Sequence, residues 1–175
     1  MNNISFRNDV LPLKNVLYRL ALRITLNHEE AEDVVQDTLI KIWNRRDSWQ
    51  NIDSIEAFSL TICRNLALDR NKRKGNGHET IDEGTANIRE ASSTPYEQAI
   101  RNDKIALVRQ LVNMLPEKQR SCLQLRDFEG KQYKEISEIL DISEEQVKVN
   151  IFRARQAIKQ KYQKLNASPM AVLLY

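Results

Sequence analysis

YKEISEILDISEEQVKVNIFRARQAIK, residues 133–159, is the stretch on which the reading of this chain turns. An apolar-periodic segment over 133–140 is followed by a three-residue break, Asp141, Ile142 and Ser143, and then by a longer segment rich in cations. Ser143 suits a helix N-cap, because its oxygen can accept a backbone N–H that the first helical turn leaves unsatisfied. Ile136, Ile139 and Leu140 are expected to pack against Val147 and Ile151, with Ile142 plugging the turn and small Ser137 where the helices cross. A short helix, a tight turn and a longer basic helix make a helix-turn-helix. The second helix would leave Gln146, Lys148, Val149, Asn150, Arg153, Arg155 and Lys159 outside. Long cations reach phosphates, and Asn, Gln or Arg can read base edges in the major groove. Glu144 and Glu145 suit the positive end of the helix dipole but repel phosphate, so contacts should begin one turn later. The alternative is a helical hairpin with a solvated face; the clustered cations favour DNA.

Ahead of this motif, Ile100, Leu107, Leu111 and Leu115 mark a helix stopped by Pro116. That proline suits the first position of a further helix over 116–127, and Gly130 permits a sharp turn. Residues 75–95, GNGHETIDEGTANIREASSTP, are polar, net acidic and hold three of the four glycines, which predicts a flexible linker. On its other side, Leu13, Val16, Leu17, Leu20, Ala21 and Ile24 follow helical spacing. Asn27 and Glu30 resemble a capping box opening a second helix, with Ala31, Val34, Val35, Thr38, Leu39, Ile42 and Trp43 on one side. After a break at 44–54, a third helix places Ile55, Phe58, Ile62 and Leu66 inward. No segment alternates as a strand would. The expectation is an all-α chain of two small helical domains joined by a linker.

Of the 175 residues, 41% are apolar and 29% charged, which suits a packed core and excludes an integral membrane protein. No apolar run approaches the ~18 residues that a spanning helix needs. MNNISFRNDV lacks the pattern of a secretion signal, and Cys63 and Cys122 are too far apart for a Cys-x-x-Cys site. A reduced, cytoplasmic protein is expected. With only His28 and His78 as histidines, and no nucleophile–base pair, phosphate loop or metal spacing, neither catalysis nor a cofactor or metal is expected. The net charge is +3 but unevenly spread. Residues 29–40 carry five acids (Glu29, Glu30, Glu32, Asp33, Asp37) and no base; 64–74 carry five bases and one acid; 143–164 carry six bases and two acids. One acidic and two basic patches suggest one protein partner and one polyanion.

LYRLALRITLNHEEAEDVVQDTLIKIW (17–43) and AFSLTICRNLALDRNKRK (57–74) resemble region 2 of the extracytoplasmic-function sigma factors, the small members of the sigma-70 family. LVNMLPEKQRSCLQLRDFEGKQYKEISEILDISEEQVKVNIFRARQAIK (111–159) resembles their region 4. The resemblance implies a two-domain factor: region 2 over 1–74, a linker over 75–95, region 4 over 96–166 and a tail over 167–175. Such a protein binds core RNA polymerase and directs it to promoters without catalysis of its own. Region 2 would dock on the clamp helices of the largest subunit through Asp33, Gln36, Asp37, Ile40 and Trp43; acids flanking an apolar stripe fit a basic amphipathic helix. The segment matching the specificity loop, with Arg45, Trp49, Gln50, Asn51, Ile52 and Asp53, together with Asn65, would receive an unstacked base of the −10 element. An aromatic beside amides suits that task, since stacking is worth roughly 1–3 kcal/mol per base. For Trp49, the alternative is a hydrophobe capping the helix ends. The −35 element would meet Arg126, Lys148, Val149, Asn150, Phe152, Arg153 and Arg155, with Lys148, Asn150 and Arg153 as base readers. An anti-sigma factor is a further implied partner. Gln132 stands where the family usually has Ser or Thr, a lost cap worth about 1 kcal/mol. Phe58, Thr61 and Val149 are further departures, and Val149 could meet a thymine methyl. A free-standing helix-turn-helix regulator is the competing reading; it predicts DNA binding without polymerase.

Overall fold

The computed structural model describes residues 3–75 and 95–167, so most of the expected linker and the tail beyond 167 lie outside the described residues. The chain is all-α. A π turn (Phe6–Val10) and a 3-10 turn (Leu11–Leu13) lead into α1 (Lys14–Thr25), α2 (His28–Asn44), a 3-10 turn (Arg46–Asn51) and α3 (Ile55–Lys74). The C-terminal half holds α4 (Pro95–Asn113), α5 (Glu117–Leu123), a π turn (Gln124–Phe128), α6 (Tyr133–Leu140) and α7 (Glu144–Ala167).

Helices α1, α2 and α3 pack on one another around Leu17, Leu20, Ile24, Val34 and Leu60, all fully buried. Each such side chain contributes roughly 1.5–3 kcal/mol by leaving water. The sharp reversal between α1 and α2 is made by Leu26, which adopts a left-handed conformation (φ 55°) and donates its N–H to the Leu22 carbonyl at 2.8 Å. Asn27 then caps α2, its side chain accepting the Glu30 N–H at 3.0 Å. The third helix differs from its expected orientation. Ser59, Leu60, Cys63 and Ala67 form its buried face, whereas Ile55, Phe58 and Ile62 are half-buried beside a second apolar group built on Val10, Ile42 and Trp49. Small residues at 59, 63 and 67 let α3 approach α1 closely, and the Cys63 thiol donates to the Leu17 carbonyl at 3.3 Å.

The helix-turn-helix forms where it was expected. Ile136, Ile139, Leu140, Val147 and Ile151 are buried together, with Ile142 packed against them. Asp141 ends α6 in a left-handed conformation (φ 54°), and Ser143 accepts the Gln146 N–H at 3.2 Å. Although Gln132 replaces the usual hydroxyl residue, Glu135 reaches back and accepts the Gln132 N–H at 2.9 Å, which restores part of the cap.

The two halves share one core, a placement that no sequence signal announced. Helix α1 lies against α5 and the following π turn, and α3 lies against α6. Cys122, Leu125, Ile136, Ile139 and Leu140 join Leu17, Leu20, Leu60 and Cys63 in a single apolar cluster. Burial pushes the Cys63 and Cys122 thiols up to about 12, so neither is a thiolate at neutral pH. Polar groups frame this contact. Arg19 grips Glu129 through Nε and Nη2 at 2.6 and 2.9 Å, and Lys131 meets Glu56 at 2.5 Å. Arg23 donates to Gln124 at 2.9 Å and to Asn113 at 3.1 Å. Burial, then the neighbouring Arg109 and Arg120, lower its basicity to about 10, which leaves it cationic at neutral pH.

Candidate nucleic-acid interface

On α7, the expected DNA face is open. Lys148 and Arg153 are exposed, as are Val149 (44%) and Phe152 (63%). Phe152 therefore points to solvent and not into the core. Asn150 is half-buried, and its amide donates to the Gln146 carbonyl at 2.7 Å, so it must turn to reach a base. Arg155 pairs with Asp127 through two bonds, Nε at 3.0 Å and Nη2 at 2.5 Å, and that pairing raises its basicity. Arg126 donates to the Lys131 carbonyl at 2.8 Å and stands 4.5 Å from the Tyr133 ring centroid. The Lys148 ammonium lies 5.6 Å from the same centroid. The fold thus brings Arg126, Lys148 and Arg155 to one side of the helix-turn-helix from positions spread over thirty residues of sequence.

The expected −10 residues divide. Arg45, Gln50, Asn51, Asp53 and Asn65 are exposed and Ile52 is half-buried. Trp49 departs from the expected stacking platform: it is 7% exposed, packs with Val10 and Ile42, and donates its indole N–H to the Ile42 carbonyl at 3.1 Å. It is the capping hydrophobe over the end of α2. The physical reason is the N-terminal segment, whose Phe6 stacks near-parallel to the Trp49 ring at 6.5 Å and covers it. The open aromatic here is Trp43, which meets Phe6 edge-on at 5.2 Å and has Arg46 over its ring at 4.7 Å.

On the proposed docking stripe, Ile40 and Trp43 are 57% and 46% exposed, large apolar groups left open on the outer side of α2. Gln36 and Asp33 are exposed beside them. The acids are not free, however. Arg70 of α3 binds Glu30 at 2.9 Å, Asp33 at 3.3 Å and Asp37 at 3.0 Å, and Lys74 binds Glu30 at 2.9 Å. Two bases of the run at 64–74, read as part of a polyanion site, are thereby turned toward α2. Bonds from Lys74 and Arg70 hold the Glu30 carboxyl below its usual range.

The sigma-70 region 2 model matches residues 10–76, and the sigma-70 region 4 model matches residues 105–158, in the family's order. The chain belongs to the sigma-70 family. More narrowly it is an extracytoplasmic-function sigma factor, which directs RNA polymerase in promoter-specific transcription initiation. Similar relatives include the RNA polymerase sigma-H factor of Pseudomonas aeruginosa, 28% identical over 165 residues, covering 89% of this chain and 85% of that one. The ECF RNA polymerase sigma factor SigW of Bacillus subtilis is 27% identical over 169 residues, covering 92% and 90% of the two chains. The fold is shared with the sigma factor RpoE of Bartonella quintana, solved in complex with the anti-sigma factor NepR: TM-score 0.71 at 23% identity, over 90% of this chain and 96% of that one. Among the described residues of this sigma factor, no helix is long and apolar enough to cross a membrane.

Proposed function

We propose that this sigma factor, acting in the cytoplasm, divides its work as follows. Residues 1–74 dock on the clamp helices of the largest polymerase subunit and hold the −10 strand. Residues 75–95 tether them to 96–166, which read the −35 duplex. Residues 167–175 form a tail. The carrying observation is a pair of separate open surfaces: an apolar stripe, Ile40 and Trp43, on α2, and a cationic face, Lys148 and Arg153, on α7. Asp33, Gln36 and Asp37 flank the stripe. Arg70 pairs with both acids within the free chain and offsets part of their charge, so docking on a basic helix gains less from the acids and more from the apolar pair. The −10 base meets Arg45, Gln50, Asn51, Ile52, Asp53 and Asn65, with Trp49 supporting the loop from beneath. The −35 duplex meets Arg126, Lys148, Val149, Asn150, Phe152, Arg153 and Arg155.

The two elements are named for positions roughly 25 base pairs apart, about 85 Å along B-form DNA. Helices α3 and α6, packed side by side, do not span that distance. Promoter engagement therefore separates the two halves and exposes the core they share. An anti-sigma factor, of the kind bound to the Bartonella relative, is a further partner.

The residue assignment is tested by separation of function. Ile40→Ala with Trp43→Ala should abolish co-purification with core polymerase; Arg153→Ala should leave co-purification intact and weaken promoter binding by the holoenzyme. Co-purification retained by the first variant, or lost by the second, would overturn the division of labour.

A further inference from the structure

Tyr133 is the first residue of α6, and it is half-buried. A helix start makes no demand for an aromatic there; the needs of the first turn are met by the Glu135 carboxylate and by backbone bonds. The ring packs against the shared apolar cluster, and beyond that it collects cations from two other elements. Arg126, in the π turn before it, stands 4.5 Å from the ring centroid, and Lys148, on α7, stands 5.6 Å from it. Both distances fall within cation–π range, where the negative face of the ring attracts positive charge. Arg126 is held a second time by the Lys131 carbonyl at 2.8 Å. Two flexible side chains that would otherwise sample many rotamers, and repel one another, are thus held by a common ring at the mouth of the cationic face.

We propose that Tyr133 is a positioning residue for DNA, presenting Arg126 and Lys148 to the −35 duplex as an ordered pair of cations. This rests on the −35 reading given above. Long cations lose rotamer freedom when they meet a phosphate or a base edge, and a ring that already holds them removes part of that loss. Tyr133 acts through its π face, so its hydroxyl is dispensable and its shape alone is insufficient. An aliphatic side chain of similar size fills the same space but holds no cation.

The test uses the full chain bound to core polymerase. A promoter duplex is first selected from a random-sequence library by the wild-type holoenzyme, and Tyr133→Phe and Tyr133→Leu are then titrated with it at one salt concentration. The Phe variant should bind within about twofold of wild type and the Leu variant about five- to tenfold more weakly. In a background carrying Arg126→Ala and Lys148→Ala, the same Leu substitution should cost less than about twofold, a coupling that a purely structural role does not produce. Equal binding by the Leu and Phe variants would overturn the proposal, as would an undiminished Leu penalty in the cation-less background. A selection that enriches no sequence would overturn the −35 reading and the positioning role together. Enrichment followed by equal titrations would overturn only the latter.

Discussion

Arg120, at the centre of the contact between the two halves, donates its Nε–H to the Arg23 carbonyl oxygen at 2.7 Å, from α5 to the end of α1. Its remaining nitrogens reach the Leu115 carbonyl at 2.6 Å and the Ile24 carbonyl at 3.3 Å. A planar guanidinium, 8% exposed, thus closes the C-terminal end of α1 with donors and favourable charge. Burial lowers its basicity, and the neighbouring Glu117 carboxylate partly opposes that. Arg120→Met should lower unfolding stability by about 3 kcal/mol, because the Arg23 and Leu115 carbonyls lose this donor, while Ile24 keeps the Asn71 amide. Arg120→Lys should recover little, since one ammonium cannot serve three diverging acceptors. Urea denaturation of both variants checks this.

The closed arrangement itself can be loosened at its rim. Glu129 receives both Arg19 nitrogens and the Gln124 amide at 3.1 Å. Glu129→Lys replaces these bonds with like charges facing each other. Small-angle scattering should show a larger radius of gyration for the variant, with helical content unchanged by circular dichroism. An unchanged radius would mean that the apolar cluster alone holds the halves together.

Arg70 links α2 to α3 through three carboxylates. Because the folded-state Glu30 carboxyl is lowered, its contribution is present above the unfolded carboxylate value and is lost as pH falls through the lowered one. Arg70→Met should therefore lower the melting temperature at pH 7, with the gap to wild type closing in the acid range below about pH 4. A gap that persisted at low pH would assign Arg70 a packing role. Charge reversal at Asp33 and Asp37 disturbs this same cluster, which is why Ile40 and Trp43 are the cleaner docking probes.

Arg153 is exposed on α7 next to Phe152, the most open aromatic of that helix. Arg153→Ala should weaken promoter binding by roughly 1–3 kcal/mol relative to random duplex if the side chain reads a base. Equal weakening on both duplexes, with a shallower salt dependence, would make it a phosphate contact.

Asp141 holds the turn of the helix-turn-helix at φ 54°, a conformation that glycine adopts without steric cost. Asp141→Gly should leave DNA binding unchanged and stabilise the chain by up to about 1 kcal/mol, read by thermal unfolding.

Much of this architecture was legible in the sequence because apolar spacing is a local signal. The bounds of α6, the Ser143 cap and the buried faces of α1 and α2 follow from residues within a few positions of one another. Trp49 was not legible: its type suits both a stacking platform and a core filler, and only the arrival of Phe6 and Val10 decides between them. Arg70 and Lys74 read as part of a basic run, because their pairing with Glu30 exists only once α2 and α3 lie side by side. Arg19, Arg23, Arg120 and Glu129 gave no signal at all, since their partners are about a hundred residues away in the sequence. The cation pair on Tyr133 was missed because the three residues, though near in sequence, meet only after the turn and α7 have folded back.

The central claim is that separate open surfaces on α2 and α7 let this sigma factor bring polymerase to chosen DNA. Run-off transcription on a genomic fragment library, with core polymerase and with or without the protein, measures it most directly. New transcripts should start at discrete positions and disappear with the Ile40→Ala, Trp43→Ala variant. Discrete transcripts from that variant at wild-type yield, or none from the wild-type protein, would contradict it.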